Sequence, residues 1–223
     1  MDTLIVGNRF RGTPSYWDNV VLYLKGDGVN NSTSIIDSSS YAKPVSVFGN
    51  AKIVTDQSKF GGSSIYLDGD GDYLSLASSG DWLMPGDYTI HFWMRVPVLS
   101  GVSYTKGIIG NQSVGSGGGI SIGQYQGAIN SDGWTTSENI LSINTWHHIA
   151  LVKTGGTAKI YIDGIERRSY AKGSNVSSQL IIGNFGDQDA NRWMTGWIDE
   201  LIIVKDVALF TENFTPPTTP LLP

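Results

Sequence analysis

The chain has 223 residues, 28 of them glycine and none cysteine, with a formal charge of −5 at neutral pH. That length suits one large domain able to bury its own core without disulfides or metal. The acidic balance argues against nucleic acid or an anionic membrane surface as partner, and the 40% hydrophobic content argues against disorder.

The first stretch, Met1-Asp2-Thr3-Leu4-Ile5-Val6, has no basic segment leading into an apolar one, so no secretory signal is read. No run approaches the ~18 apolar residues of a membrane span. Residues 1–16 are weakly patterned and carry Arg9, Arg11 and Pro14; they read as an N-terminal arm or attachment segment. From there strand signals dominate. Strands are predicted over 20–25, 63–68 and 73–76. Over 88–96, strict alternation places Tyr88, Ile90, Phe92, Met94 and Val96 on one face and His91, Trp93 and Arg95 on the other. Two further strands are expected at 106–111 and 119–123. After Trp146, residues 147–153 run into Gly155-Gly156, and 158–162 run into Asp163-Gly164, the pattern of a hairpin whose glycines supply positive φ. The last strands are expected at 179–183 and 195–204.

About a dozen short strands broken by Gly, Asn and Asp turns predict an all-β fold, an antiparallel β-sandwich. It occupies residues 17–214 as a single domain. Residues 215–223 contain Pro216, Pro217, Pro220 and Pro223, which remove backbone donors and exclude a central strand. This tail reads either as an extended strap over the surface or as a frayed end.

Several motifs occur together in one order. They are Leu22-Tyr23-Leu24-Lys25-Gly26-Asp27-Gly28 with Ile36-Asp37-Ser38-Ser39; Ser63-Ser64-Ile65-Tyr66-Leu67-Asp68-Gly69-Asp70-Gly71-Asp72-Tyr73; Tyr88-Thr89-Ile90-His91-Phe92-Trp93; Trp146-His147-His148-Ile149-Ala150-Leu151 with Ile160-Tyr161-Ile162-Asp163-Gly164; and Gly196-Trp197-Ile198-Asp199-Glu200-Leu201. Together they cover about residues 18–214 and resemble the laminin-G-like branch of the concanavalin A-like lectin/glucanase superfamily. The resemblance implies a concanavalin A-like jelly roll of two curved sheets. Leu209-Phe210-Thr211 and the Phe214-Thr215-Pro216-Pro217 tail also resemble domains of tailed-phage virion proteins. Trp146 and Trp197 are expected to fill the space between the sheets.

Three chemistries compete for the loops. The resemblance suggests a structural calcium held by Asp27, Asp37 and Asp199, with Ser32 or backbone carbonyls completing the shell; Asp187 and Asp189 form a second candidate. Hard cations want several oxygens, but ordinary turn and capping aspartates explain the same residues. The Asp68, Asp70, Asp72 alternation is no EF-hand, because the position where its glutamate would stand is Ser79. Glycan binding needs an aromatic platform among polar groups. Trp134 and Trp193 lie in polar loop sequence, with Tyr104 and Tyr125 as further candidates. The same rings could instead anchor an oligomer or fold back as a lid. Catalysis has the least support: no Glu-x-Asp-x-Glu string presents two carboxylates to one face, no cysteine nucleophile exists, and Gly115-Ser116-Gly117-Gly118-Gly119 lacks the Lys-Ser/Thr of a phosphate loop. No catalytic residues are assigned.

The functional expectation is a non-enzymatic bacteriophage virion protein, a head decoration, knob or tail-fibre component made in the host cytoplasm. Its expected partners are other virion proteins or copies of itself as a homo-oligomer, and a host surface glycan. The rival is a secreted bacterial glycan-binding, lectin-like domain. A polysaccharide hydrolase ranks last.

Overall fold

The computed structural model describes residues 15–101, 103–112, 118–136 and 139–221. The expected arm is therefore described only at Ser15 and Tyr16, and most of the glycine-rich stretch at 115–119 lies outside the described residues.

The strands follow in chain order as β1 (Val20–Leu24), β2 (Ser46–Phe48), β3 (Lys52–Val54), β4 (Ser64–Asp68), β5 (Tyr73–Leu76), β6 (Tyr88–Arg95), β7 (Lys106–Gly110) and β8 (Ser121–Tyr125). They continue as β9 (Ala128–Ser131), β10 (Trp134–Thr135), β11 (His147–Thr154), β12 (Thr157–Ile162), β13 (Ile165–Ala171), β14 (Leu180–Ile182) and β15 (Thr195–Lys205). One sheet runs β13-β12-β11-β6-β15-β4-β3, with β1 also paired to β15; the other runs β10-β9-β8-β7-β14-β5-β2. All pairings are antiparallel, and the expected all-β sandwich is the fold found.

The two-residue period of each strand makes the core. Leu22, Leu67, Ile90, Phe92, Ile149, Leu151 and Ile198 point inward from the first sheet and meet Leu74, Leu76, Ile109, Ile122, Ile129 and Ile182 from the second. Each such side chain contributes roughly 1.5–3 kcal/mol by leaving water. Strand β15 serves two neighbours in turn: Thr195 to Ile198 pair with β4, and Leu201 to Val204 pair with β1. Between them the register breaks at Asp199-Glu200, where Glu200 takes a φ of 52°. That bulge aims two carboxylates out of the regular ladder.

The outer face of the first sheet is covered by a second apolar layer. Val20, Tyr23, Ile202 and Val204 pack under Tyr16, Trp17, Val207, Leu209 and Leu221. Ala150, Val152 and Tyr161 pack under Ala208, Phe210 and Phe214. Thr89 Oγ1 donates to the Val207 carbonyl and accepts from Leu209 N–H, while Phe214 N–H donates to the Gly164 carbonyl. A side chain on Gly164 would collide with the Phe214 carbonyl, so the hairpin glycine also lets the C-terminal segment lie flat. Under this cover His91 and His148 are buried and hydrogen-bonded to each other at 3.2 Å. Burial holds both imidazoles neutral, lowering His91 to about 4.

Neither Trp146 nor Trp197 fills the space between the sheets as expected; both are half-buried. Ile149 and Leu151 take the inward positions of β11, and Ile198 takes that of β15, so the two tryptophans fall out of phase with the core. On the second sheet's outer face, Phe185 is buried against Gly107, Gly110 and Gly123. A Cβ on Gly107 would stand 2.5 Å from the Asn184 backbone, so these strand glycines admit the 184–193 loop onto the sheet.

Candidate functional site

Trp134 follows a two-residue turn. Asp132 and Gly133 have φ of 53° and 85°, and the flanking pair is Ser131 with Trp134. Asp-Gly is the sequence that such a hairpin turn demands. The indole is 46% exposed. It stacks on Tyr170 at 6.1 Å and 24°, with the Arg168 guanidinium 4.8 Å from its ring centre. Beneath it lies a buried ion pair. Lys172 Nζ donates to Asp132 Oδ2 and to the Gly119 carbonyl, and the two side chains are 1% and 5% exposed. The Tyr170 hydroxyl lies 3.0 Å from Asp132 Oδ2 and 2.8 Å from Ser131 Oγ. Burial, then the Asp132 charge, pushes this phenol well above its usual range, so it stays protonated as a donor. On the opposite face of the hairpin, Asn130 Nδ2 donates to Thr135 Oγ1 while Asn130 Oδ1 has no partner. The result is a flat apolar ring on a fixed turn, backed by Tyr170 and flanked by the Arg168 guanidinium.

Sequence reasoning found Trp134 but missed what holds it. Arg168 and Tyr170 lie on β13, a strand not predicted, and Lys172 directly follows it; their i, i+2, i+4 spacing was the available signal. The other candidate rings lie elsewhere. Trp193 stacks on Tyr73 at 5.5 Å, and Tyr73 on Phe48 at 4.4 Å, beside β2 and β5 at the opposite edge of the sheet from β10. Tyr104 is exposed, 5.8 Å from the Arg192 guanidinium, and Tyr125 ends β8, half-buried. The structure does not gather the four rings into one site.

The acidic candidates separate as well. Asp37 spends both oxygens on four donors: Tyr23 N–H and Ser39 N–H on Oδ1, Ser39 Oγ and Lys43 N–H on Oδ2. Asp189 accepts from Asn191 N–H, Asn191 Nδ2 and Arg192 Nε, and Asp187 is exposed. Asp199 is 1% exposed; its Oδ2 accepts from Lys59 and Phe60 N–H, while its Oδ1 is buried without a partner. Burial first, then the charges of Glu200 and Asp27, raises this carboxyl to about 7 against the two backbone donors. Gly26 packs against Asp199 Oδ1, and Asp27 follows it, exposed and 3.8 Å from Lys25 Nζ. Among the described residues no group of three His, Cys, Asp or Glu side chains forms a metal cage. The orphaned Oδ1 is nonetheless an oxygen that fits a hard cation, with the Gly26 backbone close by and the Asp27 charge near enough to act on it.

Glu200, next in chain, turns to other partners. Its Oε2 accepts from the Tyr23 hydroxyl at 2.7 Å and from Leu221 N–H at 3.1 Å. It faces a cavity of about 220 Å³ under the C-terminal segment, lined by Phe60, His91, Trp93 and Phe210. His147 is held by Asp163 through Nδ1 at 2.7 Å and accepts from Ser142 N–H at Nε2. These polar groups are occupied in holding the fold.

A laminin-G-type family profile, described as the concanavalin A-like lectin/glucanases superfamily, matches residues 68–211. No curated protein matches in sequence. Among solved structures, the chain is similar to the binding domain of Paraclostridial Mosquitocidal Protein 1, with 22% identity and a TM-score of 0.66 over 87% of this chain and 50% of that one. It is similar to a botulinum neurotoxin type C structure described by cell entry dependent on two ganglioside molecules, with 18% identity and a TM-score of 0.61 over 86% and 49%. A third is domain 4 of AbnA, an extracellular arabinanase from Geobacillus stearothermophilus in complex with arabinotriose, with 17% identity and a TM-score of 0.59 over 92% and 98%. The chain spans about half the length of the toxin structures it matches. At these identities the likeness is one of fold. With the profile covering most of the sandwich, the chain belongs to the concanavalin A-like lectin/glucanases superfamily.

Proposed function

We propose that this protein is a non-enzymatic glycan-recognition module and a structural component of a bacteriophage virion, made in the host cytoplasm and displayed on the particle. One observation carries the recognition reading: an indole nearly half exposed and fixed on a turn that a buried ion pair underpins. Rigid aromatic surface binds at low entropic cost, because little is lost on ordering it. Family membership and the arabinotriose complex of a similar domain support a saccharide as the ligand. Isothermal titration against a glycan panel tests it: Trp134→Ala is expected to weaken binding on the order of thirtyfold, and Trp134→Phe less. Glycan binding that is indifferent to Trp134 would overturn the assignment of this site. The virion part draws on the Phe214-Thr215-Pro216-Pro217 tail and the absence of cysteine. Mass spectrometry of purified particles should find this chain in stoichiometric amount; particles without it would sink that part.

A structural calcium belongs to the same proposal. Asp199 Oδ1, the Asp27 carboxylate and the Gly26 carbonyl would hold it, joining the β15 bulge to the loop after β1. A ligand bound only by the folded state stabilises by about 2.7 kcal/mol at a hundredfold excess over its Kd. Metal-stripped protein should therefore melt roughly 5 °C or more higher in millimolar calcium than in chelator. Identical melting curves in the two buffers count decisively against the cation.

A further inference from the structure

On the outer face of the first sheet, one row of side chains lies outside the residues that pack under the described C-terminal segment. There the register sets four outward side chains opposite one another: Lys52 on β3, Tyr66 on β4, Trp197 on β15 and Arg95 on β6. At strand spacings of about 4.8 Å the row spans roughly 14 Å. Tyr66 and Trp197 form its centre, with ring centres 5.3 Å apart and planes tilted by 42°; Arg95 sits 5.6 Å from the Trp197 ring centre. The two rings tile a floor of two slanted panels.

Above that floor is an open cleft of about 390 Å³, lined by Asn30, Asn31, Lys52, Asp56, Tyr66 and Trp197, with Val54 beside them. Its rim is rich in hydrogen-bonding groups that the fold does not use. Asn30 Oδ1 accepts from Thr55 N–H, which fixes the amide and leaves its Nδ2 free to donate. The Asn31 main chain is pinned by its N–H to the Ile53 carbonyl, so its side chain stands out from an anchored turn. Among the described residues Lys52 and Asp56 enter no salt bridge, and the Tyr66 hydroxyl makes no hydrogen bond. Donors and acceptors thus ring an aromatic floor in a pre-formed cleft. The lining carries Lys52 and Asp56, and Arg95 stands beyond Trp197 at the end of the row, so charges of both signs border the aromatic floor.

We propose that this cleft is a second carbohydrate-binding site, taking a neutral oligosaccharide. The apolar C–H face of a pyranose lies on Trp197 and Tyr66, and vicinal hydroxyls bond to the Asn30 and Asn31 amides, Lys52 and Asp56. The site stands on a different sheet from Trp134 and is independent of it. None of its six polar and aromatic residues was a sequence-level candidate, because the row exists only once four strands are in register.

The test is a titration of the full chain with cellotriose, maltotriose and lactose at millimolar concentration, followed through the indole N–H signals of its seven tryptophans. The Trp197 signal is identified by its loss in Trp197→Phe. At least one saccharide should shift it saturably; Tyr66→Ala should weaken that binding about tenfold or more, and Trp134→Ala should leave it unchanged. Asp56→Ala changes an exposed rim residue without touching the packed sheet, and should weaken the same binding severalfold. A Trp197 signal that stays still with all three sugars overturns the proposal. So does binding that survives both Tyr66→Ala and Asp56→Ala. The Trp134 signal reads the first site separately, so either site can fail alone.

Discussion

Replacing Lys172 with methionine should cost about 3–5 kcal/mol of stability, among the largest losses available to a single substitution outside the core. The side chain is 1% exposed, and it meets Asp132, whose own side chain is 5% exposed. Methionine matches the length of lysine but leaves Asp132 Oδ2 with only the Tyr170 hydroxyl as partner. Asp132 Oδ1 already has none, so the carboxylate would be a buried charge with a single neutral donor. For a chain of this size the loss corresponds to a melting temperature roughly 10 °C lower. Removing both charges should be milder than removing one: Lys172→Met with Asp132→Asn is expected to recover more than half of the deficit, since the uncompensated charge goes with the second change. A double-mutant cycle in urea measures this coupling. A single variant within 1 kcal/mol of the parent would show that the pair does not hold the turn. The functional consequence follows from position. The pair pins the turn that presents Trp134, so the double variant should bind glycan more weakly than the parent even where its stability is restored.

The elements readable in advance were those whose own residues carry the signal. Strand β6 alternates over eight residues, and β11 and β12 meet across Gly155-Gly156, so periodicity and turn chemistry agree locally. The elements missed were short or polar. Strands β2 and β3 have three residues each, and β13 reads Ile165-Glu166-Arg167-Arg168-Ser169-Tyr170-Ala171. Their pairing is decided by neighbours distant in sequence, which no local pattern records. The same holds for the outer layer. Leu209, Phe210, Phe214 and Leu221 have no strand period, yet they bury the face that alternation assigned to His91 and Trp93. In the site, an aromatic between Gly133 and Thr135 was conspicuous in the sequence, whereas its support comes from Lys172 and Tyr170, far along the chain. Trp197 shows the reverse error. A tryptophan in an apolar strand reads as core, but Ile198 occupies the inward position and places the indole in the surface row with Tyr66.

Asp37→Ala is expected to destabilise the protein by about 3–5 kcal/mol whether or not calcium is present. The sequence resemblance cast this residue as a cation ligand, but its carboxylate already has four donors at 2.8 to 2.9 Å. Three of them are backbone N–H groups, from Tyr23, Ser39 and Lys43. Strand β1 pairs with β15 along one edge, and on its other edge the chain at Leu24 and Asp37 forms an isolated bridge. The aspartate therefore closes the free edge of a buried strand, meeting an amide that would otherwise lack an acceptor. Alanine leaves these donors facing a void too apolar to hydrate them well, at about 1–3 kcal/mol for each group that stays unpaired. Asparagine keeps the two bonds at Oδ1 but can turn an NH₂ toward Lys43 N–H, so Asp37→Asn should lose less than alanine and more than nothing. Chemical denaturation with and without calcium separates the two roles. A lock loses the same free energy in both buffers and leaves any calcium-induced rise in melting temperature intact, whereas Asp199→Asn should abolish that rise. If alanine at 37 cost stability only when calcium is present, Asp37 would be a ligand and the edge closure incidental.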